Sequence, residues 1–345
     1  MSQTGQFISA DRFSSSLIND LCQDREGSLW VATDYGLNRF DGYNFQTFIH
    51  QPSDSTSLTD NMVVCLMADR QGYLWVGTRI GLDRFDAASE TFIHYPFPDG
   101  LTPHVSVLLQ LRDGRLLVGT AGYGAYLLGD DGKLQPFGDE GPHGFYSRIF
   151  EDSQGRLWHC SFDEMIAFNY QGKTTNFRSE YGNPQAILER DGDVFIVCLR
   201  GILVYHNGQM LSDYVDMGKA GSQDVLLWKA SVGQAGTIYI GTRGHGLYSI
   251  APGQNPRMED VDISTHGIDM QTAKVSAMMS DRSGNLWLAC HRKGLVMLPQ
   301  RPEQFKNWSF EGQGIRLGST ISSVCEGDGG MTWATVQGVG IYGKF

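Results

Sequence analysis

The sequence predicts an all-β fold, a β-propeller of four-stranded antiparallel blades. Three observations predict it: one short motif returns eight times, glycine is abundant without low complexity, and apolar residues follow strand patterning rather than a helical period. The chain has 345 residues, of which 43 are glycine and only 11 proline. That glycine share exceeds the usual ~7% and points to many tight turns.

The motif is clearest when the chain is aligned on a small residue that closes an apolar run. This anchor is held by Thr33, Thr78, Thr120, Ser161, Cys198, Thr242, Cys290 and Thr335, at spacings between 37 and 48 residues. Six positions earlier stands a glycine in every copy: Gly27, Gly72, Gly114, Gly155, Gly192, Gly236, Gly284 and Gly329. Three positions earlier stand Trp30, Trp75, Leu117, Trp158, Phe195, Tyr239, Trp287 and Thr332, all but the last large and apolar. Periods near forty residues with strand-type composition are those of propeller blades.

Each copy divides into four strand-like stretches. In the second copy these are Val63-Val64-Cys65-Leu66-Met67, the aromatic run ending at Thr78, Gly81-Leu82-Asp83-Arg84-Phe85 and a further alternating segment. The glycine of the first turn follows an acid in most copies (Asp24, Asp69, Asp152, Asp281, with Glu189 and Glu326 in weaker ones). A short acid there bonds turn amides, and glycine supplies the positive φ that closes the hairpin. The Trp30, Trp75, Trp158 and Trp287 side chains are expected to be buried at equivalent places in four blades.

Eight copies leave the blade count between seven and eight. Gln6-Phe7-Ile8-Ser9 reads as a fourth strand placed ahead of the first copy, and the last copy ends at Tyr342 and Phe345 without a fourth strand. Pairing the two ends gives a single eight-bladed propeller over 1–345. The alternative is a seven-bladed propeller over 1–300, with 301–345 as the first blade of a following one.

Composition excludes several functions. The net charge of −11 disfavours nucleic acid as a partner. No apolar run approaches the roughly eighteen residues of a membrane helix. Met1 to Asp11 shows neither the basic nor the apolar region of a signal peptide. Cys22, Cys65, Cys160, Cys198, Cys290 and Cys325 form no C-x-x-C pair, and no His lies at metal spacing beside them. All six are read as buried thiols, and no metal or other cofactor is expected.

The wording Asp-x-x-Gly-x-Leu-Trp-Val-(Ala/Gly)-Thr-x-x-Gly-Leu-x-Arg-Phe in the first two copies resembles the regulator-propeller repeats of hybrid two-component sensors. The resemblance is specific in copies one, two and seven and loose in copies three to six. It implies a ligand-sensing periplasmic propeller from a protein that also holds a histidine kinase and a response regulator. It further implies a carbohydrate breakdown product as the signal. The partners so implied are an oligosaccharide and the remaining sensor domains, with a homodimer as a further assembly.

In such a blade the loop between strands two and three shares a face with the connection to the next blade. These loops contribute Arg79, Arg200, Arg243, Arg292 and Lys293, a basic set in an acidic chain. With Tyr35, Tyr123 and His245 they form the candidate ligand site. Guanidinium groups suit carboxylate or sulfate, and aromatic faces suit a pyranose, so the expected ligand is an anionic oligosaccharide, bound without catalysis. Two alternatives stand beside this. One is a carbohydrate-active enzyme, a glycosidase or a lyase using Tyr123, Arg243 and His245. The other is a protein-interaction scaffold with Trp308 and Phe310 in an exposed patch. No G-x-S-x-G, H-E-x-x-H or P-loop motif supports an enzyme. Gly338 to Gly343 matches G-x-G-x-x-G by letter but has no helix to follow it.

Overall fold

The computed structural model describes residues 6–138, 146–161, 163–216, 224–253, 257–258, 268–300, 321–326, 332–336 and 340–344. It divides into two compact units, Met1–Pro302 and Glu303–Phe345.

The first unit is built from seven four-stranded antiparallel sheets. In blade one the strands Ile18–Gln23, Leu29–Thr33, Gly36–Phe40 and Phe45–Phe48 pair in sequence order. The second strands are apolar without alternation because both faces meet neighbouring sheets. Leu29–Thr33, Leu74–Thr78 and Leu116–Thr120 are buried at every position. The core accordingly runs between blades: Trp30, Ala32 and Leu37 of blade one pack with Leu58, Val63, Leu74, Val76 and Phe85 of blade two. Trp30, Trp75 and Trp158 are buried at equivalent places, and Trp287 is partly buried. Among the described residues the only helical turns are short 3-10 segments such as Ala10–Arg12.

The ring closes at seven blades. The N-terminal strand Gln6–Ser9 is the outermost strand of blade seven, lying against Gly294–Leu298 with Phe7 opposite Val296. Ile18, Leu21 and Val31 of blade one share a core with Ala277, Ala289 and Leu295 of blade seven. Closure against the eighth copy is thereby corrected. The edge that the N-terminal strand satisfies belongs to copy seven, in whose sheet it takes the fourth place.

The second unit shows a three-stranded antiparallel sheet, Ile321–Glu326, Thr332–Val336 and Gly340–Lys344. Gly340 and Gly343 of the letter match lie in its last strand; Gly338, Gly329, Trp308 and Phe310 lie outside the described residues.

The turn glycines take the conformation that the motif predicts, as at Gly27 (φ 97°) and Gly72 (φ 94°). Glu189 departs from the acidic turn pattern. Its carboxylate reaches the preceding blade and accepts from the Ser153 backbone N–H at 2.7 Å and from its hydroxyl. The extra reach of a glutamate side chain allows this span. The cysteines also need one correction. Cys65, Cys160, Cys198 and Cys290 are buried and Cys22 is partly so, but Cys325 is exposed, on the small second sheet. Burial pushes the Cys22, Cys160 and Cys290 thiols up to about 12 and Cys198 to about 11, so they remain protonated.

Candidate functional site

The anchor residue builds the loop face. The buried Thr33 hydroxyl donates to the Gly36 carbonyl at 2.8 Å and accepts from the Tyr35 N–H at 3.2 Å. Thr78 bonds Gly81 and Ile80 in the same way, Thr120 bonds Gly124 and Tyr123, and Thr242 bonds Gly246 and His245. One hydroxyl thus satisfies two backbone groups that the tight turn would leave unpaired. The residue after the anchor then ties the loop to the incoming connection: Asp34 N–H donates to Leu17 O, Arg79 to Met62, Ala121 to His104, Arg243 to Leu226 and His291 to Lys274. The loops therefore converge with the mouths of the innermost strands.

Those innermost strands carry a recurring irregularity. The ladder register shifts between Ile18 and Asp20, Val63 and Cys65, Val105 and Val107, Pro184 and Ala186, Leu227 and Lys229, and Val275 and Ala277. A β-bulge adds one residue and re-aims its neighbours. Of the six residues at the irregularity, five (Asn19, Val64, Ser106, Trp228 and Ser276) line one central cavity; Gln185 does not.

That cavity has a volume of about 460 Å³, within the roughly 300–1,000 Å³ of small-molecule sites. Its wall also includes Asp20, Asp34, Arg148, Lys229 and His291. Asn19 Nδ2 bridges blades one and two, donating to Asp34 Oδ1 at 2.9 Å and to Val63 O at 2.8 Å. Burial raises the Asp20 pKa above the usual carboxylate range, against the opposing pull of Lys229. Burial also lowers Lys229, to about 8, with repulsion from Arg148 adding to the effect. Among the described residues no group of His, Cys, Asp and Glu is arranged to hold a metal ion.

Arg243 lies over Trp228, one of the residues that line the cavity. Its guanidinium lies 4.9 Å from the Trp228 ring centroid, and its Nη2 donates to Gln185 Oε1 at 3.5 Å. Arg79 is exposed but paired, its Nη2 lying 3.0 Å from Asp60 Oδ2. Arg200, Arg292 and Lys293 are exposed on their loops, and Arg292 takes a positive φ of 58°. Tyr35 and Tyr123 are 55% and 41% exposed. His245 is half-buried, with Nδ1 shielded from solvent and without a hydrogen-bond partner among the described residues. Sequence reasoning missed Trp228, Asp20, Arg148 and Lys229. The available signal was a polar or bulky residue interrupting the apolar innermost strand, as in Leu226-Leu227-Trp228-Lys229-Ala230.

Residues 12–35 and 57–79, which cover the first hairpins of blades one and two, match the family model described as two component regulator propeller. Blades one and two thus carry two-component regulator propeller repeats. A stretch of 53 residues is 45% identical to histidine kinase P4 of Formosa agariphila, covering 15% of this chain and 4% of that protein. The fold resembles the extracellular domain of a putative hybrid two component system from B. thetaiotaomicron, with a TM-score of 0.75 at 19% identity. That likeness covers 99% of this chain and 48% of the other, so this chain spans about half of its relative. It also resembles virginiamycin B lyase from Staphylococcus aureus, with a TM-score of 0.68 and 13% identity over 86% of this chain and 99% of the lyase. Both likenesses are likenesses of fold. Among the described residues no helix is long and apolar enough to cross a membrane.

Proposed function

We propose that this propeller is a ligand-sensing part of the extracytoplasmic, periplasmic region of a hybrid two-component sensor. It recognises a carbohydrate breakdown product and leaves it chemically unchanged. The observation that carries this reading is the Trp228–Arg243 pair, whose indole lines the central cavity. A cavity-lining indole with a guanidinium resting on it can offer a pyranose apolar contact along the ring together with charge-assisted hydrogen bonds. Arg200, Arg292, Lys293, Tyr35 and Tyr123 supply further polar and aromatic groups on the same set of loops, and Arg79 and His245 complete it.

A binding role is favoured by the state of the cavity carboxylates. Asp34 is engaged by Asn19, and Asp20 accepts two backbone N–H groups. Groups held in this way orient a ligand. Kinase and response-regulator functions belong, in this reading, to other parts of the parent protein. The unit Glu303–Phe345 is then the first blade of a following propeller, since its sheet repeats the order of the first three strands of every blade.

The test is a thermal-shift screen with acidic and neutral oligosaccharides, because a ligand of the native state raises the apparent stability. A saccharide that stabilises the parent, fails to stabilise Trp228→Ala and is recovered intact by chromatography supports the proposal. A cleaved saccharide transfers the site to the enzyme reading, for which the unpartnered His245 Nδ1 beside Arg243 is the place to look for a base.

A further inference from the structure

Three ionisable side chains from three blades meet in the central cavity: Asp20 of blade one, Arg148 of blade four and Lys229 of blade six. Their hydrogen-bonding capacity is used unequally. Asp20 Oδ1 accepts from the Leu21 N–H at 3.0 Å, and Oδ2 accepts from the Leu66 N–H at 2.9 Å. Each oxygen keeps a further lone pair. Arg148 donates through Nε to Gln185 O at 2.7 Å and through Nη1 to Ser147 O. These bonds fix the guanidinium plane, while Nη2 has no hydrogen-bond partner among the described residues. Lys229 has neither a hydrogen-bond nor an ion-pair partner among them.

The local charge does not balance. Two cations face one carboxylate, and each cation raises the cost of the other in a partly desolvated place. The remaining titratable groups on the wall do not correct this. Asp34 is bonded to Asn19 and acts on His291 rather than on Lys229. The Cys65 thiol is held protonated by burial.

We infer that Arg148 and Lys229 form a carboxylate subsite, and that Asp20 beside them accepts a hydroxyl of the same ligand. The subsite thus selects a uronic acid unit over a neutral sugar. This rests on the sensing reading above and specifies its ligand class. A carboxylate without a neighbouring donor would gain two cations but meet the Asp20 charge. A uronic acid avoids that conflict, because the ring carbon next to the one bearing its carboxylate carries a hydroxyl. That hydroxyl donates to Asp20 while the carboxylate accepts from Lys229 and from Arg148 Nη2.

Calorimetry on the full chain with D-glucuronate and trigalacturonate, beside D-glucose and maltotriose, tests this. Lys229→Met removes the charge without breaking a described hydrogen bond, and Lys229→Arg restores the charge. The expected result is that a uronate binds the parent, binds Lys229→Met at least about tenfold more weakly, corresponding to the loss of one charge-assisted contact, and recovers in Lys229→Arg. Neutral sugars should be indifferent to the lysine.

A second readout needs no variant. An anion beside Lys229 raises its pKa from about 8, so binding near pH 8.5 should take up protons. That uptake appears as a heat that depends on the buffer, and the part of it that is absent from Lys229→Met should vanish near pH 6, where the lysine is already charged. Parental uronate affinity in Lys229→Met, or binding without proton uptake at the higher pH, overturns the subsite. A neutral saccharide that binds the parent as tightly as the uronates do, and loses that binding in Trp228→Ala, overturns the subsite while leaving the sensing reading in place. The absence of saccharide binding overturns both.

Discussion

The Trp30 indole Nε1 donates a 2.6 Å hydrogen bond to Oδ2 of Asp24, the acid of its own blade's first turn. The other carboxylate oxygen accepts from the Ser28 backbone N–H at 2.9 Å. The same pairing joins Trp75 to Asp69, Trp158 to Asp152 and Trp287 to Asp281, at 2.7–2.9 Å. The acid therefore couples a surface turn to the aromatic core six residues later. Asp24→Ala leaves the indole N–H unpaired in a buried place, at a cost of about 1–3 kcal/mol. Asp24→Asn keeps an acceptor and should cost less. Urea unfolding of the two variants checks the order, and equal losses would show that the indole bond contributes nothing.

This motif also shows what the sequence makes legible. A tryptophan, a glycine and an acid at fixed separations are local, so a linear reading recovers them, and the buried Trp30 and Trp158 follow. Ring closure is less legible because Phe7 and Val296 meet only when the chain has turned through seven blades. The cavity is the least legible part. Asp20, Arg148 and Lys229 lie far apart in the chain, and the register shifts beside Asp20 and Lys229 break the alternation from which a strand's inward face is read. The loop residues Arg200 and Arg292 are found easily because turns announce themselves, whereas Trp228 sits at a bulge that no turn residue marks.

Deleting residues 1–10 should destabilise the first unit sharply. The deletion removes the four-residue ladder from Gln6 to Ser9 and exposes the edge strand Gly294–Leu298. It also removes the Phe7 side chain from the core of blades six and seven. The melting temperature should fall, and the exposed edge should promote association detectable by light scattering. An unchanged melt would mean that closure rests on the shared core of blades one and seven alone.

His94 should make stability depend on pH. Its Nδ1 lies 2.7 Å from Oδ1 of the buried Asp83, and its Nε2 lies 2.8 Å from Ser55 O. Both partners are acceptors, so both bonds form fully only in the doubly protonated ring. The hydrogen bond to Asp83 accordingly raises the His94 pKa above the ordinary histidine value, and burial opposes it. A raised folded-state pKa gives stability that is present below the unfolded value and lost as pH rises through the folded one. The difference in melting temperature between the parent and His94→Gln should be widest at about pH 5.5 and narrow by about pH 8. A difference independent of pH would reduce the contact to a neutral hydrogen bond.

Arg243 and Arg79 should behave differently in ligand binding, although both are exposed arginines on equivalent loops. Arg79 already has a partner in Asp60 at 3.0 Å, and it must give up that pair to serve a ligand. Exposed pairs of this kind are worth about 0–1 kcal/mol, so the exchange gains little. Arg243 has no carboxylate partner among the described residues; it rests on the Trp228 face and touches Gln185 at the long distance of 3.5 Å. Its orientation is set by stacking, which leaves its guanidinium edge available to an anion beside Trp228. A charge-assisted hydrogen bond there contributes roughly 1.5–3 kcal/mol. Arg243→Ala should weaken binding of an acidic oligosaccharide about tenfold or more, and Arg79→Ala by no more than a few-fold. The Arg243 effect should shrink as salt is raised if the contact is open to solvent. Titrations of both variants at two ionic strengths decide the matter. A loss in Arg79→Ala equal to that in Arg243→Ala would place the ligand across the loop tips, and parental affinity in Arg243→Ala would remove the Trp228–Arg243 pair from the site.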